Sequence, residues 1–183
     1  MEPATGPGTR VVFVGTVYPK LDVEAIVESA RLGSVDELVV IGDGAMYGEL
    51  VQAKRDRDLD TLSLPGYLST AGTWSLVAGA DVAINPQTQS PTQAVSSPVK
   101  LCYYRALGVP MVLSDGLDLA REFAEAGVAR LVSPGDGFAE TLDGLLTDGD
   151  ALETMRSRAT QTGGYASWTE RAQTLQQVYG PPS

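Results

Sequence analysis

Six short, uniformly apolar runs recur through this sequence, each followed by an amphipathic segment, and that alternation leaves few folds open. The runs are Val11–Val14, Glu37–Ile41, Thr61–Leu64, Asp81–Asn85, Met111–Leu113 and Ala129–Val132. Runs of this length without polar alternation mark strands buried on both faces of a parallel sheet. Helical periodicity fills the gaps, near Val23–Leu32, Met46–Arg57, Thr73–Ala78, Val99–Leu107, Leu117–Ala126 and Phe138–Leu146. Two further helices are expected near Ala151–Thr160 and Ser167–Tyr179, the last opened by a Ser167–Glu170 capping box. The fold class is α/β: a single doubly wound, Rossmann-like parallel sheet of about six strands with helices on both faces.

A chain of 183 residues holds one domain of this kind with a sizeable core and is too short for two. Pro and Gly near both ends suggest tails at 1–9 and 181–183 around one domain spanning 10–180. The net charge of −10 argues against nucleic acid or an anionic membrane as a partner, since both need a basic face. A small anion stays compatible, because a helix N-terminus and one lysine supply local positive potential. Histidine is absent, which removes a histidine base, a Ser-His-Asp triad and histidine metal sites. The lone Cys102 allows no internal disulfide and reads as a small buried hydrophobe. The first ten residues lack the apolar core of a signal peptide, and Val11–Val14 is too short to span a membrane. A soluble cytoplasmic protein is expected.

Three motifs carry possible chemistry. In SSPVKLCYYRALGVP, Ser97 suits an N-cap and Pro98 the first helical turn, while Gly108 and Pro110 close the helix. Lys100 near that N-terminus opposes the helix dipole unless an anion sits there, so the segment suits a phosphate. Lys100, Tyr103 and Leu107 share one helical face. Gly42-Asp43-Gly44 follows a strand and opens a helix, but Gly48 falls one position late for a dinucleotide fingerprint. Tight-turn glycines explain it as well, with an NAD enzyme as the alternative. Asp56, Asp58 and Asp60 alternate with Arg55 and Arg57; a solvated charged face accounts for them, a divalent cation being the other reading. The polar stretch Pro86–Val95 reads as a loop at a strand's carboxyl end, where open α/β sheets bind ligands.

Seven blocks then fall into the order of one family: VVFVGTVYPKLD, LVVIGDG, LPGYLS, GADVAINP, SSPVKLCYYRALGVPMVLSD, ARLVSPGD and YASWTERAQTLQQVY. The chain resembles the C-terminal, donor-binding domain of a GT-B-fold glycosyltransferase of the group 1, family 4-like kind. The resemblance implies a nucleotide-diphosphate-sugar site. The backbone N–H groups of Ser96 and Ser97 would take the diphosphate beside Lys100, with Gly15 closing the first strand and Lys20 a second phosphate contact. The backbone around Tyr67 would border the base. It implies no cofactor and no metal, the nucleotide sugar being the donor substrate. Family members usually have Glu where Tyr103 stands, often an acidic residue where Val95 stands and commonly Arg where Thr16 stands; Lys20 lies one position short of the usual lysine. A carboxylate grips a ribose diol with two oxygens, whereas a tyrosine has one.

The resemblance also implies an acceptor-binding N-terminal domain, supplied upstream or by a separate partner subunit. The helix Ser167–Tyr179 is expected to cross back towards it, with Leu175 and Val178 exposed in its absence. Two readings follow: a glycosyltransferase donor domain that transfers a sugar once the acceptor domain is present, or a degenerate subunit that only scaffolds a partner.

Overall fold

The computed structural model describes residues 8–88, 98–133 and 136–162, with Thr169 and Gln173 singly. Six strands form one parallel sheet: β1 (Arg10–Val14), β2 (Glu37–Ile41), β3 (Leu62–Gly66), β4 (Val82–Asn85), β5 (Met111–Ser114) and β6 (Ala129–Val132). Their spatial order is β3-β2-β1-β4-β5-β6. The chain winds outward from β1 to β3, then returns to the other side of β1 with β4. That reversal leaves a crevice beyond the carboxyl ends of β1 and β4.

Seven helices are complete among the described residues: α1 (Val23–Ala30), α2 (Tyr47–Asp56), α3 (Thr70–Ala78), α4 (Val99–Ala106), α5 (Asp118–Glu125), α6 (Phe138–Leu146) and α7 (Gly149–Gln161). Side chains along each strand alternate between two cores. Val11, Phe13, Val40, Ile84 and Val112 pack beneath α1, α2 and α6. Val12, Ile41, Ala83, Met111 and Leu113 pack beneath α3, α4 and α5. Helix α7 serves both layers, giving Met155 to the first and Ala159 to the second.

The doubly wound sheet expected from the apolar runs is the observed fold, and its strands stand within two residues of the expected bounds. One strand differs informatively. β3 runs on through Pro65 and Gly66, with Gly66 in register with Ile41 after a bulge. The sequence reading stops it at Leu64 because proline lacks a ladder donor; β3 is an edge strand, where that loss is tolerated. Helix α3 starts three residues before the expected Thr73, because the Ser69 side chain caps it through the Gly72 N–H. Thr9, placed in the N-terminal tail by composition, is pinned instead: its N–H donates to Asp36 Oδ2 at 2.6 Å. The remaining tail residues and, apart from Thr169 and Gln173, the helix expected over Ser167–Tyr179 lie outside the described residues. No helix among the described residues is long and apolar enough to cross a membrane.

Candidate functional site

The carboxyl edge of β1 is built by three glycines. The Gly15 N–H donates to Ile41 O at 2.9 Å, and Val17 N–H to Asp43 O at 3.0 Å, so the loop after β1 lies against the turn after β2. A Cβ on Gly42 would stand 2.1 Å from Gly15 O, and one on Gly44 2.5 Å from Val17 O. Both glycines have positive φ, which side chains resist. Close backbone approach therefore accounts for the Gly42–Gly44 motif, as the tight-turn reading expects. The loop after β1 is also stitched to the loop after β4. Thr88 N–H donates to Lys20 O at 2.9 Å and Asp22 N–H to Pro86 O at 3.2 Å, while Leu21 and Gln87 form a bridge.

Helix α4 stands over this crevice. Its N-cap is Pro98, with φ −63° and ψ 112°, and no side chain caps it. This corrects the sequence assignment by one residue, since an extended ψ keeps Pro98 out of the first turn. The Pro98 carbonyl accepts from Leu101 N–H at 3.0 Å. The N–H groups of Val99 and Lys100 have no acceptor within the helix, as in any first turn. Gly108, at φ 72°, closes the helix as expected. Ser96 and Ser97, the expected diphosphate-binding backbone, and Val95 lie outside the described residues.

Lys100 is the centre of the site. From α4, its side chain reaches across the end of β1 until Nζ lies 4.1 Å from the centroid of the Phe13 ring, a residue of the opposite core. The path runs beside Gly15, where a Cβ would come within 3.0 Å of Nζ. Burial lowers the lysine pKa to about 7 because a desolvated ammonium is disfavoured. The local sequence offers no compensation: between Thr61 and Ser114 the single carboxylate is Asp81. Asp81 lies at the other end of the sheet, accepting from Arg10 N–H at 2.8 Å and pairing with Arg156 at 3.5 Å.

The inner face of α4 is fixed by Leu101, Tyr104 and Arg105, all buried. The Tyr104 hydroxyl accepts from Val14 N–H at 2.8 Å, so helix and strand are joined one residue before Gly15. Burial raises the phenol pKa far above its ordinary value, against the smaller effect of that hydrogen bond. Cys102, expected to be buried, is half-buried at the flank of this core, because Leu101 and Tyr104 take the inward positions. Tyr103 faces outward and stacks on Trp74 of α3, centroids 4.4 Å apart. The shared face expected for Lys100, Tyr103 and Leu107 divides: the lysine turns in to the crevice, while Tyr103 and Leu107 stay exposed.

Among the expected site residues, the structure brings Gly15 and Lys100 together. Lys20 is exposed at the same edge. Tyr67 stands on the loop after β3, 74% exposed. Asp56, Asp58 and Asp60 lie exposed at the end of α2 and beyond, as the charged-face reading expects, and no group of three potential ligands occurs among the described residues. Sequence reasoning missed Phe13, Trp74 and Asn85. Only Asn85 had left a signal, as the polar residue in an apolar strand; it is fully buried, and among the described residues neither atom of its carboxamide has a partner.

The family model described as Glycosyl transferases group 1 matches residues 8–148. The chain belongs to this glycosyltransferase family. Among curated proteins none matches it by sequence. Solved glycosyltransferase structures share its fold. WaaG, a glycosyltransferase involved in lipopolysaccharide biosynthesis, superposes with TM-score 0.75 at 14% identity, over 97% of this chain and 48% of that one. Sucrose-phosphate synthase from Thermosynechococcus elongatus gives 0.78 at 17%, over 94% and 45%. Anabaena HepE in complex with UDP gives 0.75 at 18%, over 93% and 49%. This glycosyltransferase-family chain thus spans less than half the length of each.

Proposed function

We propose that the chain is the donor-binding part of a group 1 glycosyltransferase and holds a nucleotide-diphosphate sugar in the crevice beyond β1 and β4. The observation that carries the reading is Lys100: a desolvated ammonium beside Gly15, on a helix without an acidic residue in its first turn. Such a cation is costly alone and is stabilised by an anion. The first-turn N–H groups and dipole of α4 add to the same field. Family membership and the UDP complex of Anabaena HepE support a nucleoside diphosphate as that anion.

In this reading Ser96, Ser97, Gly15 and Lys100 receive the diphosphate, Lys20 adds a second cation, and Tyr67 and Tyr103 border the nucleoside. Transfer breaks the bond between the anomeric carbon and the β-phosphate oxygen, the electron pair leaving with the phosphate, while an acceptor hydroxyl oxygen bonds to that carbon and gives up its proton. Lys100 and the α4 N-terminus stabilise the charge gained there. Fixed positive groups of this kind supply the role of a metal, so EDTA is expected to leave donor binding unchanged. The acceptor comes from a further domain or subunit, in keeping with the chain's span of under half of those three solved structures.

Isothermal titration with UDP-, GDP- and dTDP-sugars tests the reading. Saturable heat with one of them, lost in Lys100→Met, is the expected result; no heat with any overturns it. Donor binding without transfer in the presence of the acceptor domain would instead favour the scaffold reading.

A further inference from the structure

The outward face of α4 presents a surface that the diphosphate leaves unused. Val99, Tyr103 and Leu107 succeed one another at one-turn spacing, exposed by 50%, 42% and 38%. Trp74, half-buried on α3, supports the Tyr103 ring from one side with the planes 29° apart. The result is a braced aromatic plate with an apolar border, open to solvent.

Its distance from Lys100 matters. Tyr103 lies three residues on along α4, close to one helical turn of about 5.4 Å. In a nucleoside diphosphate the pentose is bonded directly to the phosphate. A diphosphate held by Lys100 therefore leaves its pentose and base within reach of the plate.

What the plate lacks decides how it reads them. Two adjacent hydroxyls are recognised best by an acceptor with two oxygens, a carboxylate. Helix α4 has none, and Asp81, the single carboxylate between Thr61 and Ser114, is bound at the far end of the sheet. The carboxylates beyond the neighbouring strands stand on other elements: Asp43 accepts from Gly44 N–H in the turn after β2, and Asp115 from Gly116 N–H and Arg121 after β5. A ring face contributes stacking, which is insensitive to a hydroxyl at the pentose 2′ position.

We propose that Tyr103, braced by Trp74, is a nucleoside contact of this site and reads it by stacking, so that ribo- and 2′-deoxyribonucleoside diphosphates bind alike. This rests on the diphosphate reading above. A site that hydrogen-bonds a hydroxyl rejects the analogue lacking it by large factors, whereas a stacking site does not.

The test is titration of the full chain with matched pairs, UDP with dUDP and GDP with dGDP, and with inorganic pyrophosphate. The better-binding pair is expected to agree within about threefold, as stacking without diol recognition requires. Tyr103→Phe keeps the ring and should leave the ratio between the two members unchanged. Tyr103→Ala should weaken both by about 5- to 100-fold while pyrophosphate binding is unchanged, and the exposure of Tyr103 means that no core is opened. Tyr103→Glu should create a preference for the ribo form. A wild-type preference for ribonucleotides of about tenfold or more, or one lost in Tyr103→Phe, overturns the proposal. So does nucleotide binding that is indifferent to Tyr103→Ala. Failure of pyrophosphate and every nucleotide to bind is a different pattern, and it overturns the diphosphate reading itself.

Discussion

Lys100 Nζ lies 4.1 Å from the centroid of the Phe13 ring, an ammonium set on an aromatic face where a carboxylate would ordinarily be found. Burial depresses its pKa from 10.5 to about 7. Below about pH 7 the lysine is charged in both folded and unfolded chains, and the folded state bears the whole desolvation cost. Between about 7 and 10.5 the unfolded chain binds more protons, so this group makes stability rise with pH across that window. Lys100→Met removes the cost but also the ring contact. Denaturant melts should show a gain of about 1–3 kcal/mol at pH 6, shrinking towards zero by about pH 10.

Binding should follow the opposite trend. The anion needs the protonated lysine, so affinity for pyrophosphate is highest below about pH 7 and falls above it, by at most about tenfold per pH unit. Titration in buffers of different ionisation enthalpy should show proton uptake on binding at pH 8. Arginine stays charged throughout; Lys100→Arg should flatten both the pH profile and the proton uptake.

The glycine pair after β2 gives a prediction with an internal control. At Gly42 a methyl group would meet Gly15 O at 2.1 Å on a backbone with φ 134°. Gly42→Ala should cost about 2–4 kcal/mol in unfolding free energy, by backbone strain and displacement of the β1 loop. Gly144 is exposed in α6, and nothing lies within 4 Å of its added Cβ. Gly144→Ala should therefore stabilise by about 0.5–1 kcal/mol. Equal effects at both sites would show that the Gly42 contact carries no energy.

Tyr104 makes a narrower case. Its hydroxyl satisfies Val14 N–H at 2.8 Å in a fully buried position. Tyr104→Phe leaves that strand donor without its partner and should lower stability by about 1–3 kcal/mol. Because Val14 precedes Gly15, the same variant should weaken diphosphate binding, whereas Tyr103→Phe one residue away should alter neither quantity.

The doubly wound sheet was legible because its strands are buried on both faces, and uniform apolarity is hard to mistake. The order of the sheet added what the sequence left open, the switch between β1 and β4 that locates the crevice. At the site, Lys100 was readable as a cation at a helix start that opposes the dipole. Its partner was not, since Phe13 reads as one more apolar strand residue and lies in the opposite core. The Trp74–Tyr103 stack was hidden for a related reason: it joins two helices, and spacing along either one says nothing about the other. Helix α3 starts earlier than its periodicity suggests because Ser69 caps it, and Pro98 rather than Ser97 takes the N-cap position of α4.

Asn85 ends β4 at the crevice, and register sets it beside Leu113 on the face covered by α3, α4 and α5. It is fully buried, and among the described residues neither Oδ1 nor Nδ2 has a hydrogen-bonding partner. Two orphaned polar atoms in such a place are destabilising. Leucine has the same branching without them, so Asn85→Leu should raise unfolding free energy by about 1–2 kcal/mol. Asn85→Asp should do the reverse at neutral pH, lowering it by about 2–4 kcal/mol, because the buried carboxylate has no partner. Desolvation raises that carboxyl's folded pKa, so the loss should be recovered as pH falls through it. Melts of both variants at pH 4 and 7 separate the outcomes: a leucine variant less stable than wild type at both would mean that the carboxamide has a partner in solution.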